Sequence, residues 1–336
     1  MKDTNSKKRI LTGDNTTGKL HVGHYVGSLE NRAKLQDEYE TIILAADLHA
    51  LAYPKYIENT QLITEGTFGV IIGNLAAGLD PDKVTFFVDS AIPEISELAL
   101  IFTMLVTTPR ILRNPTIKDE IRDKNLGDNY SLGFLNFPVL MAADILAAQA
   151  DLVPIGEDQL PHLELTREIA RKFNSTYGEV LIEPKPLVGR IARLIGTDGN
   201  AKMTKSLGNT IFLNEPTSSL KEKIMSMYTD PNRIHATDPG KVEGNPVFIY
   251  HDAFNPNIQE VEDLKERYQK GTVGDVEVKT KLFNAMEGFL SPIRDKHHYY
   301  EQKPELVLEL IHEGNKKVQK IAQDTLSQVK LALKLV

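Results

Sequence analysis

Short apolar runs alternate with longer stretches of helical periodicity as far as Pro216. Lys8 to Thr12 (KRILT), Thr41 to Ala46 (TIILAA), Val84 to Val88 and Leu152 to Ile155 read as strands. The second of these is apolar throughout, as in a parallel strand buried on both faces. Helical spacing is expected over Val22 to Tyr39, Ile57 to Leu79, Pro93 to Val106, Pro138 to Ala150 and from Gly156–Gln159 to about Phe173. It is also expected over Arg110 to Lys124, where Pro115 restarts the helix. Asp80–Asp82 is a turn, and Pro184 and Pro186 mark a linker. Strands alternating with helices imply an α/β fold with a doubly wound parallel sheet, whose ligand sits at the carboxyl ends of the strands.

After Pro216 only helical periodicity remains, broken at Pro231, at Pro239 to Gly244 and at Gly271 to Gly274. This predicts an all-helical second domain over 216–336, following an α/β domain over 1–215. Its last stretch, Glu305 to Leu335, carries apolar residues at Leu306, Leu310, Val318, Ile321 and Leu326. Such an amphipathic helix must pack on something, and the α/β domain is the expected support.

Composition narrows the class. The hydrophobic share is 41% and the charged share 25%, an ordinary globular balance. There is no apolar run of membrane-spanning length, and the start MKDTNSKKRI has no apolar signal core. With 0 cysteines, thiolate metal sites, thiol nucleophiles and disulfides are excluded. A cytoplasmic location is the expectation. The net charge of −7 argues against non-specific coating of nucleic acid, but leaves room for a local basic track toward one RNA.

The chemistry concentrates just after the first strand, in TGDNTTGKLHVGHYVGSL (Thr12 to Leu29). Gly13, Gly18, Gly23 and Gly27 let backbone N–H groups approach an anion, and the following helix points its positive end the same way. Gly13 to Lys19 nearly spells a Walker A loop, but Leu20 stands where that motif needs a Mg²⁺-binding hydroxyl. The tetrapeptide His21-Val22-Gly23-His24 resembles the HIGH signature of class I aminoacyl-tRNA synthetases. Far downstream, Lys202-Met203-Thr204-Lys205-Ser206 resembles their KMSKS segment, with Thr204 in place of the usual serine. Either match alone reads equally well as a turn; the two in the right order do not.

Two further stretches, LMAAD (Leu140 to Asp144) and VPIGEDQLPHLELTREIARKFN (Val153 to Asn174), make nearly the whole chain similar to the tryptophanyl-tRNA synthetase family. Tyrosyl-tRNA synthetases tend to differ in both. The resemblance implies a Rossmann-like catalytic domain, ATP with Mg²⁺ carried on its phosphates, L-tryptophan and tRNA(Trp) as partners, a helical anticodon-reading domain and a homodimer. It implies phosphate chemistry at His21, His24, Lys118, Lys202 and Lys205. It further implies ATP contacts at Asp14, Asn15, Thr16, Thr17, Gly23, Gly156, Glu157, Asp158, Ile191, Met203, Thr204 and Ser206. Tryptophan would meet His49, Met141, Asp144 and Gln159; no resident metal is expected. One departure is Phe137, where the family usually has a tyrosine that helps hold the substrate ammonium.

Read from the residues alone, Asp144 is a carboxylate on an apolar helix, which must find a donor inside the protein or in a ligand. The alternatives to a tryptophan enzyme are a tyrosyl enzyme, a small-molecule adenylyltransferase sharing HxGH, and a non-enzymatic tRNA-binding paralogue. Presence of both signatures and the long helical region weigh against the last two. If the two signature lysines meet phosphate mainly in the transition state, Lys202→Ala and Lys205→Ala each lower kcat and kcat/KM together, by on the order of 10²-fold. Pyrophosphate exchange at saturating and limiting amino acid measures this; unchanged exchange in both variants would reduce the segment to a surface turn.

Overall fold

In the computed structural model the described residues are 7–123, 126–127, 129–188, 194–199, 203, 207–230, 233, 235 and 237–335. Five parallel strands form one sheet in the order β3-β2-β1-β4-β5. They are β1 (Arg9–Asn15), β2 (Glu40–Ala46), β3 (Val84–Val88), β4 (Leu152–Ile155) and β5 (Lys185–Val188). The run Lys185–Val188, expected as a linker, is thus an edge strand paired with β4 from Leu152↔Lys185 to Ile155↔Val188. Pro186 is tolerated because an edge strand has one side with no ladder partner.

Both faces of the central strands are apolar, and alternate residues feed different cores. Ile42, Leu44 and Ala46 pack with Phe87, Val153 and Ile155 under the helices Pro93–Thr103, Leu132–Ala147 and Leu160–Tyr177. Ile43 and Ala45 pack with Phe86 and Val88 under the helix Gln61–Ala76. This period of two, buried on both sides, is why β2 has no polar face.

Several helices differ from expectation, each for a local reason. Val22 to Tyr39 is divided: a short turn Val22–His24, a π-helical turn Tyr25–Leu29, then Glu30–Leu35. Ile57 to Leu79 is broken at Asn59–Thr60, between Pro54–Glu58 and Gln61–Ala76. The helix carrying Asp144 begins at Leu132, not at Pro138, because Ser131 Oγ accepts the Phe134 N–H at 3.0 Å and caps it; Pro138 lies inside.

The chain divides into two units. One comprises 1–19, 28–189 and 300–336; the other comprises 20–27 and 190–299. The sheet therefore shares its unit with the last helix, Pro304–Ala332, while residues 190–215 group with the helices Thr217–Met225, Pro246–Phe254, Ile258–Gln269 and Asp275–Glu301. These boundaries differ from a cut at 215.

The last helix crosses the free edge of the sheet at β3. Val307 and Ile311 enter the core on one face, and Val318, Ala322, Leu326 and Val329 enter the other. At the crossing, Asn315 Oδ1 accepts the Val88 N–H at 3.0 Å, occupying an edge-strand donor. Gly314 permits this approach: a Cβ there would sit 1.7 Å from the Phe86 carbonyl oxygen. Gly314→Ala should therefore cost about 3 kcal/mol of unfolding free energy, at the upper end of ordinary overpacking. A urea titration checks it; an unchanged midpoint would mean the helix does not lie on the strand this closely.

Candidate active site

The strand order reverses between β1 and β4, and these two strands share only the pair Ile10↔Leu152. Beyond that pair their backbones are bridged by side chains. Thr12 Oγ1 and Ser28 Oγ both donate to the Pro154 carbonyl, at 2.6 and 3.1 Å. The carboxyl ends of the two strands, Asp14–Gly18 and Gly156–Asp158, thus flank the crevice where a doubly wound sheet takes its ligand.

The turn after β1 is shaped from within. Arg32 is 2% exposed and donates from Nη1 and Nη2 to Asp14 Oδ2 and Oδ1, at 2.6 and 3.1 Å. Asn74 joins both, accepting from Arg32 at 2.8 Å and donating to Asp14 at 3.2 Å. The Asp14 side chain, expected at ATP, is committed to this internal pair, and its backbone lies in β1 opposite Ala45. Thr16 is fully buried as well, with Gly66 against its carbonyl: a Cβ at 66 would lie 1.8 Å from that oxygen. Asn15 and Thr17 are half-buried, and Asn15 Oδ1 has no hydrogen-bond partner. At the end of β4, Gly156 is pressed by the Asp158 carboxylate, 2.7 Å from where a Cβ would be, while Glu157 is exposed. Gln159 donates to Asp158 Oδ2 at 2.8 Å. Lys118 is exposed on the helix Pro115–Asp123.

In the second unit the two histidines lock their own backbone. His21 Nδ1 accepts the Gly23 N–H and His24 Nδ1 accepts the His21 N–H, both at 3.1 Å, with the rings 3.8 Å apart. Accepting at Nδ1 places each ring's proton on Nε2, so both imidazoles are donors at that nitrogen. The same stretch pairs with the chain that follows the second signature. Val22 N–H donates to the Ile211 carbonyl at 3.0 Å, and Leu213 N–H to the Leu20 carbonyl at 3.1 Å. Met203 Sδ comes within 3.7 Å of the position a Gly23 Cβ would take, so the two signatures meet. Before and after the lysine segment, Thr197 N–H donates to the Asn209 carbonyl at 3.0 Å and Asn209 Nδ2 to Asp198 Oδ1 at 3.0 Å. Ile191, Lys202, Thr204, Lys205 and Ser206 themselves lie outside the described residues.

The other cluster lies in the sheet unit. Asp144 is 1% exposed on the apolar helix Leu132–Ala147, three residues after the half-buried Met141. Its Oδ2 lies 2.8 Å from His49 Nε2, while Oδ1 is buried without a partner. Burial drives the Asp144 carboxyl well above the usual carboxylate range, with the charge of Asp47 adding to this, and burial pushes the His49 imidazole down. The Phe137 ring stands edge-on between two imidazoles, 4.8 Å from His49 and 5.5 Å from His162.

In the sheet unit the glycine-shaped turn suits an anion, and in the other unit the Nε2-donating histidine pair does so separately. A sealed carboxylate with one acceptor atom to spare suits a ligand N–H. Residues 2–291 match the family described as tRNA synthetases class I (W and Y). The chain belongs to this family. It is 50% identical over 326 residues to the tryptophan--tRNA ligase of Borreliella burgdorferi, covering 96% of this chain and 93% of that one. It is 45% identical over 334 residues to that of Chlamydia caviae, covering 98% and 97%. Among solved structures it is similar to tryptophanyl-tRNA synthetase from Campylobacter jejuni complexed with ADP and tryptophan. That likeness has a TM-score of 0.83 and 30% identity, over 97% of this chain and 100% of that one.

Sequence reasoning missed the partners that make this synthetase site rigid. Arg32 and Asn74 lie far from Asp14 in the chain, and a lone arginine in a helix reads as a surface residue. His162 was passed over inside an amphipathic helix, yet it is fully buried and Asn114 Nδ2 lies 3.2 Å from its Nδ1. Its Nε2 has no partner. The only available signal was its position beside Leu163 and one turn before Leu165 and Thr166 on the buried side of that helix.

Burial holds the His162 pKa down to about 4, below its usual value near 6.5. A depressed histidine contributes stability that is complete above the unfolded value and is lost as pH falls through the window down to the folded one. Between pH 7 and pH 4 the wild type should therefore lose about 3 kcal/mol more than His162→Gln. Urea unfolding at the two pH values measures the difference; parallel losses would mean the ring is solvated.

Proposed function

We propose that the chain is a tryptophan--tRNA ligase. It activates L-tryptophan with ATP to tryptophanyl-adenylate, releases pyrophosphate, and transfers the acyl group to tRNA(Trp). The observation that carries the choice of amino acid is the unpartnered, buried Oδ1 of Asp144, an acceptor for the indole N–H. A site that hydrogen-bonds a substrate N–H rejects analogues without it, because its own acceptor is then left sealed and unpaired. Met141, on the same helix, supplies a polarisable wall for the ring.

In the first step a carboxylate oxygen of tryptophan attacks the α-phosphorus in line. The bond to the bridging oxygen breaks, and pyrophosphate leaves with the electron pair. The attacking carboxylate is already ionised, so no general base is required, and catalysis consists of positioning and of stabilising charge on the phosphates. His21 and His24 are suited to this through Nε2–H, with Lys202 and Lys205 as cations and Lys118 as a further contact for pyrophosphate. Backbone N–H groups of Asp14 to Gly18 offer the remaining donors. Gly23 leaves room for the adenosine, and Gly156 to Asp158 line its other side, with Ile191. Mg²⁺ arrives on the ATP phosphates. In the second step the terminal ribose 2′-hydroxyl of the tRNA attacks the acyl carbon, and AMP departs. The helices within Thr217–Glu301 read the anticodon, and the active species is a homodimer.

The tyrosyl reading is disfavoured by relatives named for tryptophan over nearly their full length. Pyrophosphate exchange should depend on tryptophan, with phenylalanine poorer by about 10⁴-fold or more and tyrosine inactive. Equal exchange with tyrosine would sink the assignment.

A further inference from the structure

Asp89 lies at the carboxyl end of β3 and is fully buried. Its Oδ1 accepts the N–H groups of Asp47 and Leu48, at 2.8 and 3.2 Å. Asp47 returns the contact by accepting the Ser90 N–H at 3.1 Å and the Ser90 hydroxyl at 2.5 Å. The ends of β2 and β3 are clasped by these reciprocal bonds, and His49 rides on the clasped turn, Asp47–Ala50. The second oxygen of Asp89 has no hydrogen-bond partner and stands 3.7 Å from His49 Nε2, the nitrogen that meets Asp144. An uncompensated carboxylate oxygen this deep is costly. The clasp does not require it, because an asparagine would accept the same two N–H groups. Burial, with the neighbouring Asp47 and Asp144 carboxyls, pushes the Asp89 carboxyl well above the usual carboxylate range; what aspartate adds over asparagine is a carboxyl oxygen, and not an amide N–H, beside that one ring nitrogen.

We propose that Asp89 is a positioning residue for indole recognition: it holds His49 as the Nε2–H form, and His49 thereby orients the Asp144 carboxylate. An acceptor oxygen near Nε2 favours the proton there over Nδ1, and only an Nε2–H can donate to Asp144 Oδ2. The edge-on Phe137 ring, 4.8 Å from His49 and nearly perpendicular to it, holds the imidazole plane. With Oδ2 fixed in this way, Oδ1 is the oxygen turned to the ligand. An amide at 89 would turn N–H groups toward Nε2 and draw its proton round to Nδ1. The same logic makes the wrong tautomer when the carboxylate behind a catalytic histidine becomes an amide. The other titratable groups facing the cluster are Asp47, on the clasped turn, and His162, across Phe137.

The proposal rests on Asp144 accepting the indole N–H, and the test separates the two. Binding of L-tryptophan is compared with binding of its analogue bearing sulfur in place of the ring N–H, the analogue read by displacement of tryptophan. The wild type should prefer tryptophan. Asp89→Asn should lose roughly tenfold of that preference, through weaker tryptophan binding, the size of a lost charge-assisted hydrogen bond. Its KM for ATP and its kcat at saturating tryptophan should hold, whereas loosened packing would weaken both ligands alike. His49→Phe, which removes the donor, should lose as much, and the double variant no more, since both act along one path. Preference retained in Asp89→Asn, or additive losses in the double variant, overturns the positioning role. Should Asp89→Asn not fold, His49→Phe carries the test, and retained preference there overturns it equally. A wild type without preference overturns the reading of Asp144 and this inference with it.

Discussion

A carboxylate sealed inside an apolar helix, satisfied at one oxygen and unsatisfied at the other, is the constraint on which the proposed tryptophan pocket depends. Asp144 cannot be solvated at its depth, and its bond to His49 engages only Oδ2. The protein tolerates this because the surrounding structure leaves Asp144 no alternative. Ala142, Ala143, Ile145 and Leu146 are all buried around it, and the helix is held by Ser131 at its start and by packing on the sheet. A group in this condition gains more from a ligand N–H than a solvated one would, since the ligand removes a desolvation cost already present.

The phosphate side follows a different strategy. There the polar side chains nearest the turn after β1 face inward. Arg32 and Asn74 take both oxygens of Asp14, and Thr16 is packed under Gly66. Losing one member of a buried pair of this kind costs about 3–5 kcal/mol, so the pair fixes the turn's path firmly. In the proposed function the anion then meets backbone N–H groups of this turn. The same economy holds at His21 and His24, whose Nδ1 atoms are consumed by backbone and whose protons sit on Nε2.

The central strands were legible because burial on both faces leaves an apolar run, uninterrupted in Ile42 to Ala46 and broken only by Thr85 in Val84 to Val88. β5 was not, since Lys185, Pro186 and Val188 are exposed and the run begins Lys-Pro, the pattern of a linker. Pro138 hid the true start of the Asp144 helix, although Ser131 supplied a readable cap. The π-helical turn at Tyr25–Leu29 left no mark in the apolar spacing. In the last helix the buried stripe runs through Val307, Ile311, Gly314 and Val318, not Leu306 and Leu310, because Gly314 sets the closest approach to β3. Motif residues such as His21, Asp144 and Gly156 could be named from order along the chain. Their partners could not: Asp14–Arg32, His49–Asp89 and Asn114–His162 are pairings of distant residues that only the fold brings together.

The chain contains 0 tryptophans, so any indole fluorescence in a titration belongs to the ligand. Titrating free L-tryptophan into wild type and Asp144→Ala tests the account most directly. The account predicts saturable binding by the wild type and loss of most affinity in the variant, with ATP binding nearly intact. Equal tryptophan binding by the two proteins would make Asp144 a structural carboxylate and contradict the assignment of the pocket.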